Sequence, residues 1–120
     1  MGLTDVYMMS KGSAVTAIKD KTVTTTSDPI HCKGYNAILV YHTTSAAKNW
    51  TIKVQGCDTR NGTYLDVYEQ ANTGAMVAMS YQTNASRIFL FKGIPDWIKI
   101  VATEDEDGAT VTVKVQPLNC

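Results

Sequence analysis

Apolar and polar side chains alternate along several short stretches of this chain, with a period of two residues. In residues 50–55, Trp, Ile and Val alternate with Thr, Lys and Gln, and in residues 111–116 Val alternates with Thr, Lys and Gln. Because successive side chains of a strand point to opposite faces of a sheet, this pattern predicts antiparallel strands with one buried and one solvated face.

Other stretches carry apolar residues on both parities. Residues 87–101 read Arg-Ile-Phe-Leu-Phe-Lys-Gly-Ile-Pro-Asp-Trp-Ile-Lys-Ile-Val, which predicts two apolar strands bent back on each other at the turn 93–96. Residues 34–42 have an Ile-Leu-Val centre and predict a further strand of this kind. Strands that are apolar on both faces are typical of the middle of a sheet that is covered on both sides.

Turn signals separate these strands. The polar run 19–21 predicts a hairpin near the start of the chain, and the Asn-Gly pair at 61–62 and the Asp-Gly pair at 107–108 predict two more. Residues 76–81 predict one weaker strand, and Pro117 is predicted to end the last strand because it cannot donate to a ladder.

These elements predict the fold class. Helical spacing is hard to find, and about eight short strands separated by turns are typical of an all-β domain. Strands with two apolar faces need cover on both sides, so we expect an antiparallel two-sheet β-sandwich of the jelly-roll or Ig-like kind. We expect an N-terminal arm at residues 1–12 and the β-sandwich domain at residues 13–118.

Composition narrows the class of function. The 120 residues suit one domain, and 44% hydrophobic with 18% charged residues is typical of a globular protein. The 11 basic and 11 acidic residues balance, which disfavours a nucleic-acid binder. No apolar run has the length of a membrane span, and the first residues lack the pattern of a signal peptide. We therefore expect neither nucleic acid nor membrane as a partner.

Three cysteines, Cys32, Cys57 and Cys120, are present. An odd number without a signal peptide predicts free thiols in a reducing compartment, with a Cys32–Cys57 bridge as the alternative. No pair has metal-ligand spacing, and the adjacent His31 and Cys32 would point to opposite faces of a strand. We therefore expect no metal and no cofactor.

Catalytic chemistry finds little support in the sequence. His42 and Cys32 could form a nucleophile pair, but no paired acid or nucleophile elbow accompanies them, so we expect His42 at a strand end or sheet surface. The acidic run 104–107 followed by Gly108 could hold calcium, but it lacks the full loop pattern, and a solvated hairpin turn is the preferred interpretation. We expect no catalytic residues and no enzyme.

Two groups of residues are candidates for binding. Val6, Tyr7, Met8 and Met9 either fray at the terminus or dock on a neighbouring subunit, since Met adapts to irregular surfaces. Tyr64 and Tyr68 share one parity and either cover the sheet surface or form a platform for a sugar.

Several of these motifs resemble those of small β-sandwich structural proteins of tailed-bacteriophage virions, such as capsid decoration (cement) proteins and related head or neck components. The motifs are Trp-Thr-Ile-Lys-Val-Gln-Gly at 50–56, Asn-Gly-Thr-Tyr at 61–64, Trp-Ile-Lys-Ile-Val at 97–101 and Gly-Ala-Thr-Val-Thr-Val at 108–113. The resemblance covers residues 34–116. It implies a non-enzymatic protein that is made in the bacterial host cytoplasm and assembled into the virion as a homo-oligomer, for example a trimer.

A decoration protein would bridge neighbouring copies of the major capsid protein, or bind other virion proteins, through many weak contacts that add by multivalency. Residues 6–9 and the polar loop tips are the expected contacts. Two alternatives stay open: a carbohydrate-binding module that uses Tyr64 and Tyr68, and a tail or connector subunit that forms rings.

Overall fold

The computed structural model describes residues 11–70 and 73–120, and these ranges contain twelve strands and no helix. The strands are β1 Val15–Lys21, β2 Thr25–Thr26, β3 Ile30–His31, β4 Ala37–Thr44, β5 Trp50–Cys57, β6 Leu65–Asp66, β7 Tyr68–Gln70, β8 Met76–Ala78, β9 Ser80–Thr83, β10 Arg87–Lys92, β11 Trp97–Glu104 and β12 Val111–Leu118. Twelve strands exceed the predicted eight because five of them have only two or three residues, which is too short for alternation to show. Within the same ranges, no helix is long and apolar enough to cross a membrane.

Two antiparallel sheets pack face to face, which confirms the predicted β-sandwich. One sheet has the order β1-β12-β4-β10. The other has the order β2-β11-β5-β6, with β3 also on β11 and β9 also on β5. Strands β7 and β8 pair with each other as a separate two-stranded ribbon.

The core lies between the inward faces of the four longest strands, β4, β5, β11 and β12. On β5 the side chains of Trp50, Ile52 and Val54 are fully buried, while the residues between them are half-buried. Strand β12 shows the same alternation for its three Val residues. The predicted alternation in residues 50–55 and 111–116 is therefore confirmed. Strand β4 lies between β12 and β10, as expected for a central strand.

The predicted hairpin over residues 87–101 is wrong. Strand β10 pairs with β4 in the four-stranded sheet, whereas β11 lies between β5 and the short strands of the other sheet. The intervening turn crosses between the sheets, and Gly93 adopts a φ of 78° there, which a residue without a Cβ adopts readily. Strand β10 is the edge strand of its sheet, and in a two-layer sandwich one face of each strand is turned away from the core. Phe89 and Phe91 therefore pack against the core, whereas Ile88 and Leu90 face solvent.

Two other predicted hairpins are also connections between sheets. The run 19–21 lies at the end of β1, which pairs with β12, while β2 pairs with β11. The Asp-Gly pair at 107–108 joins β11 to β12 in the opposite sheet. The Asn-Gly pair at 61–62 does join two paired strands, β5 and β6, as predicted. A turn signal marks a reversal of the chain, but it does not say which sheet the next strand joins.

Two strand boundaries differ from the prediction. Pro117 lies inside β12 and pairs with Ile38 rather than ending the strand. The predicted strand at 76–81 is split at Met79, so that β8 pairs with β7 and β9 with β5. The Met79 side chain is buried, its N–H donates to the Val67 carbonyl, and its own carbonyl accepts from Val54. These bonds attach the base of the ribbon to the core.

Candidate functional site: exposed apolar surfaces

The β7–β8 ribbon and the strand before it expose four apolar side chains. Leu65, Tyr68, Met76 and Val77 are 66%, 52%, 61% and 47% exposed, and we call them the ribbon surface. The ribbon register places Tyr68 and Met76 on one face of the ribbon and Val77 on the other. A two-stranded ribbon is marginally stable by itself in water, and covering its apolar residues would stabilise it. The alternation of Leu65 and Val67 with Asp66 predicts that both apolar side chains point inward. For Leu65 this prediction is wrong, because β6 contacts only the end of β5. Val67 does pack against the core.

A shallow cleft of about 390 Å³ lies at the base of the ribbon. Its lining includes Leu65 of β6, the half-buried Cys57 and the turn residues Ile94 and Pro95. The Cys57 thiol is 3.7 Å from a carboxylate oxygen of Asp58. The cleft therefore joins the ribbon surface to the turn that follows β10, and it offers apolar contact area.

The outer face of β10 is the second exposed apolar surface. Ile88 is 62% and Leu90 48% exposed, and in the β4 register they lie opposite Tyr41 and Leu39. We call Ile88, Leu90 and the backbone of their strand the β10 edge.

The inner face of β10 is anchored in the core. The ring of Phe89 stacks on Tyr81 at a centroid distance of 3.5 Å, and the Phe91 ring lies 6.0 Å from Tyr81. Because aromatic burial is a large stabilising contribution, these rings hold β10 in place while its outer face stays in solvent.

The two candidate sugar-binding tyrosines, Tyr64 and Tyr68, lie in different surroundings. The Tyr64 ring is covered by Lys99, whose Nζ lies 4.4 Å from the ring centroid, and the Tyr64 hydroxyl donates to the Arg60 carbonyl at 2.7 Å. Tyr68 belongs to the ribbon surface. Of the two tryptophans, Trp50 is buried, and Trp97 stacks on His31 with ring centroids 4.5 Å apart. Of the two tyrosines and two tryptophans, Tyr68 is therefore the one with an exposed ring. Sugar binding stays a prediction.

The candidate contact residues Val6, Tyr7, Met8 and Met9 lie outside the described residues. Two residues of the predicted arm are described, and both join the end of β12. Lys11 forms a bridge with Leu118, and the Gly12 N–H donates to the Pro117 carbonyl at 2.8 Å. Lys11 and Gly12 therefore lie at one end of the four-stranded sheet.

His42 is not at a strand end or on the sheet surface, so that prediction is wrong. It is 1% exposed and lies between the sheets, with its Nδ1 3.2 Å from the Tyr81 hydroxyl. Burial lowers the pKa of His42, because the charged form loses hydration. The signal was present in the sequence: His42 shares its parity with Ile38 and Val40, both of which are buried.

The three thiols are free and differ in environment. Cys32 is fully buried, and burial raises the pKa of its thiol to about 12. Cys57 is half-buried and Cys120 is exposed. Within residues 11–70 and 73–120, no three His, Cys, Asp or Glu side chains are grouped so that they could hold a metal ion.

The acidic turn binds the strands beside it. A carboxylate oxygen of Asp105 accepts from the Thr51 hydroxyl at 2.6 Å and from the Gln82 amide at 3.0 Å. Glu106 accepts from the Asn49 backbone N–H at 2.9 Å. The turn is exposed, as predicted, but it connects two sheets rather than two paired strands.

Comparison with known proteins gives a likeness in fold. No protein-family model and no curated protein matches the chain. Among solved structures, the fold resembles the crystal structure of the SPBc2 prophage-derived protein YomS, with a TM-score of 0.67 and 16% sequence identity over 93% of this chain and 96% of the other. At this identity the likeness concerns the fold. The class is therefore an all-β sandwich, and its architecture is shared with a phage-derived protein.

Proposed function

We propose that this protein is a non-enzymatic structural subunit of a bacteriophage virion, and that it binds other virion proteins through the ribbon surface. The observation that carries the proposal is the exposure of Leu65, Tyr68, Met76 and Val77 on and beside a ribbon that pairs only with itself among the described strands. Larger exposed apolar patches typically mark interaction sites. The fold likeness to a prophage-derived protein supports the phage part of the proposal.

The placement of the reactive side chains supports a binding role over a catalytic one. Cys32 is sealed in the core, and His42 lies between the sheets against Tyr81. The carboxylate of Asp105 is engaged by Thr51 and Gln82. These groups are therefore engaged within the fold, which favours the exposed apolar side chains as the contact surface.

Decoration of the head shell is the specific role that we propose, with the major capsid protein as partner. A stable interface buries about 800 Å² on each partner, which four ribbon side chains do not provide by themselves. Several copies, each with a weak contact, would bind a shell with repeated sites by multivalency. A homo-oligomer in the virion would act in this way.

Co-sedimentation with purified shells of the encoding phage tests the proposal. We expect the unmodified protein to sediment with the shells, and a Met76→Asp, Val77→Asp double variant to lose at least about tenfold in affinity, because charges desolvated at an apolar contact are unfavourable. Val23→Asp is the matched control, since Val23 is 60% exposed and lies between β1 and β2. Circular dichroism of each variant establishes that the sandwich is intact. Equal binding by the double variant would refute the role of the ribbon.

The exposed ring of Tyr68 supports a second candidate function, that of a carbohydrate-binding module. A glycan array with the unmodified protein and with Tyr68→Ala distinguishes it from shell binding: a sugar-binding module would lose its signal with the ring. A tail or connector subunit would use the same apolar surface, and light scattering would give it the mass of an oligomer larger than a trimer.

A further inference from the structure

One side of strand β10 has unpaired backbone groups. The Gly93 N–H donates to the Asn36 carbonyl at 2.7 Å, and the antiparallel register with β4 continues without a break from there to Arg87. Hydrogen-bonded and non-hydrogen-bonded pairs alternate in such a ladder. The N–H and C=O groups of Ile88, Leu90 and Lys92 therefore point away from β4, and no other described strand pairs with β10.

This edge can accept another strand. Unpaired backbone groups beside exposed apolar side chains form a template for strand addition. A second β10 can pair with this edge only in a register that aligns residues of the same face, such as Leu90 opposite Leu90. Such a register places no acidic side chain opposite Arg87 or Lys92.

Residues 5–10, Asp-Val-Tyr-Met-Met-Ser, fit the same edge better. In antiparallel register, Asp5 would lie opposite Lys92 and Ser10 opposite Arg87. Tyr7 and Met9 would then lie beside the exposed Leu90 and Ile88. On the inner face, Val6 and Met8 would extend the layer of Phe91 and Phe89. We propose that residues 5–10 of one copy of this chain add as a strand to the β10 edge of a second copy.

The position of Lys11 indicates that the acceptor is a second copy. Lys11 bridges Leu118, which pairs with Ala37, and Ala37 pairs with Lys92 on its other side. Lys11 therefore lies at the Lys92 end of its own sheet. The proposed register requires residue 10 at the Arg87 end, which is about 17–20 Å away along a six-residue strand. The chain cannot reach that end of its own β10 in this register.

Such an exchange has a consequence for assembly. Each copy donates residues 5–10 and accepts the same residues from another copy, so the contact joins two different surfaces. Contacts of this kind close into rings or extend into open chains. We therefore expect an oligomer held by the exchanged strand.

The first test removes the donor strand. Light scattering measures the mass of the unmodified protein and of a variant without residues 1–10, and hydrogen exchange measures the amides of Ile88 and Leu90. We expect an oligomer whose two amides exchange at least about tenfold more slowly than in the variant, which should be a monomer. A synthetic peptide of residues 1–10 should restore the protection. A monomeric unmodified protein, or protection that persists in the variant, would overturn the proposal.

The second test addresses the register. Asp5→Lys or Lys92→Asp alone should reduce the oligomer fraction, because each places like charges together, and the double variant should restore it. Lys33→Asp is the control for a change of surface charge, since Lys33 is exposed and lies outside the strands. Failure of the double variant to recover would reject this pairing.

The test is independent of the proposed virion role. It uses the purified protein alone, and the Met76→Asp, Val77→Asp variant should keep the oligomer. Loss of shell binding and loss of strand exchange can therefore be observed separately.

Discussion

The hydroxyl of Tyr81 lies 3.2 Å from Nδ1 of His42, and this contact joins the two sheets of the sandwich. His42 belongs to β4 in one sheet and Tyr81 to β9 in the other. Their rings meet edge to face with centroids 5.7 Å apart. Phe89 stacks on the same tyrosine, so the contact also supports the strand that presents the β10 edge.

This contact predicts a pH dependence of stability. Burial lowers the pKa of His42 in the folded protein, so below its usual pKa of about 6.5 the unfolded chain binds more protons at this residue. The contribution of His42 is fully present above about pH 6.5 and is lost as the pH falls. In urea titrations between about pH 7.5 and 5.5 we expect the free energy of unfolding to decrease, by at most about 1.4 kcal/mol per pH unit from this residue.

Two variants separate this effect from the rest of the protein. His42→Gln should flatten the pH dependence, whereas His31→Gln, at an exposed position, should retain it. An unchanged slope in His42→Gln would contradict the assignment.

Trp50 is the largest fully buried side chain, and its removal should be strongly destabilising. Trp50→Ala leaves a cavity between the sheets, and we expect a loss of about 3–5 kcal/mol in the free energy of unfolding. Trp97→Ala should lose less than half as much, because Trp97 is half-buried and packs on the exposed His31. Urea denaturation followed by circular dichroism measures both. Equal losses would mean that burial does not determine the effect.

Gly56 allows the Pro95 turn to pack closely on β5. A Cβ at position 56 would meet Cγ of Pro95 well inside van der Waals contact and lie 3.1 Å from Cγ2 of Val67. Gly56→Ala should therefore lower the free energy of unfolding by about 1–3 kcal/mol. A Gly56→Ala, Pro95→Ala double variant should be less destabilised than the sum of the single changes. Simple additivity would show that the clash with Pro95 is not the cause.

The three thiols should react at different rates. Cys120 is exposed and Cys57 half-buried, whereas burial raises the pKa of the Cys32 thiol to about 12, which leaves almost no thiolate at neutral pH. Alkylation with iodoacetamide, followed by peptide mass spectrometry, should modify Cys120 first, then Cys57, and Cys32 only after unfolding. Cys120→Ser is the control that assigns the fastest phase. Rapid modification of Cys32 in the folded protein would contradict its burial.

The sequence predicted the local features well. The alternation in residues 50–55 and 111–116 correctly gave the inward faces of β5 and β12, because side chains alternate within a strand whatever its neighbours are. The same parity argument, extended to His42, would have predicted its burial beside Ile38 and Val40. Of the exposed ribbon surface, the sequence identified only Tyr68 as a candidate. The ribbon strands have three residues each, which is too short for an alternation to show.

Sheet membership was decided by the tertiary structure. Residues 87–101 have the pattern of a hairpin, yet β10 and β11 lie in different sheets. Strand β10 pairs with β4 and β11 pairs with β5, and both partners come from the first half of the chain. Ile88 and Leu90 are exposed because they lie on the outer face of an edge strand, and no local pattern encodes that position. A strand's period comes from its own backbone geometry, whereas its neighbours are selected by the packing of the whole chain.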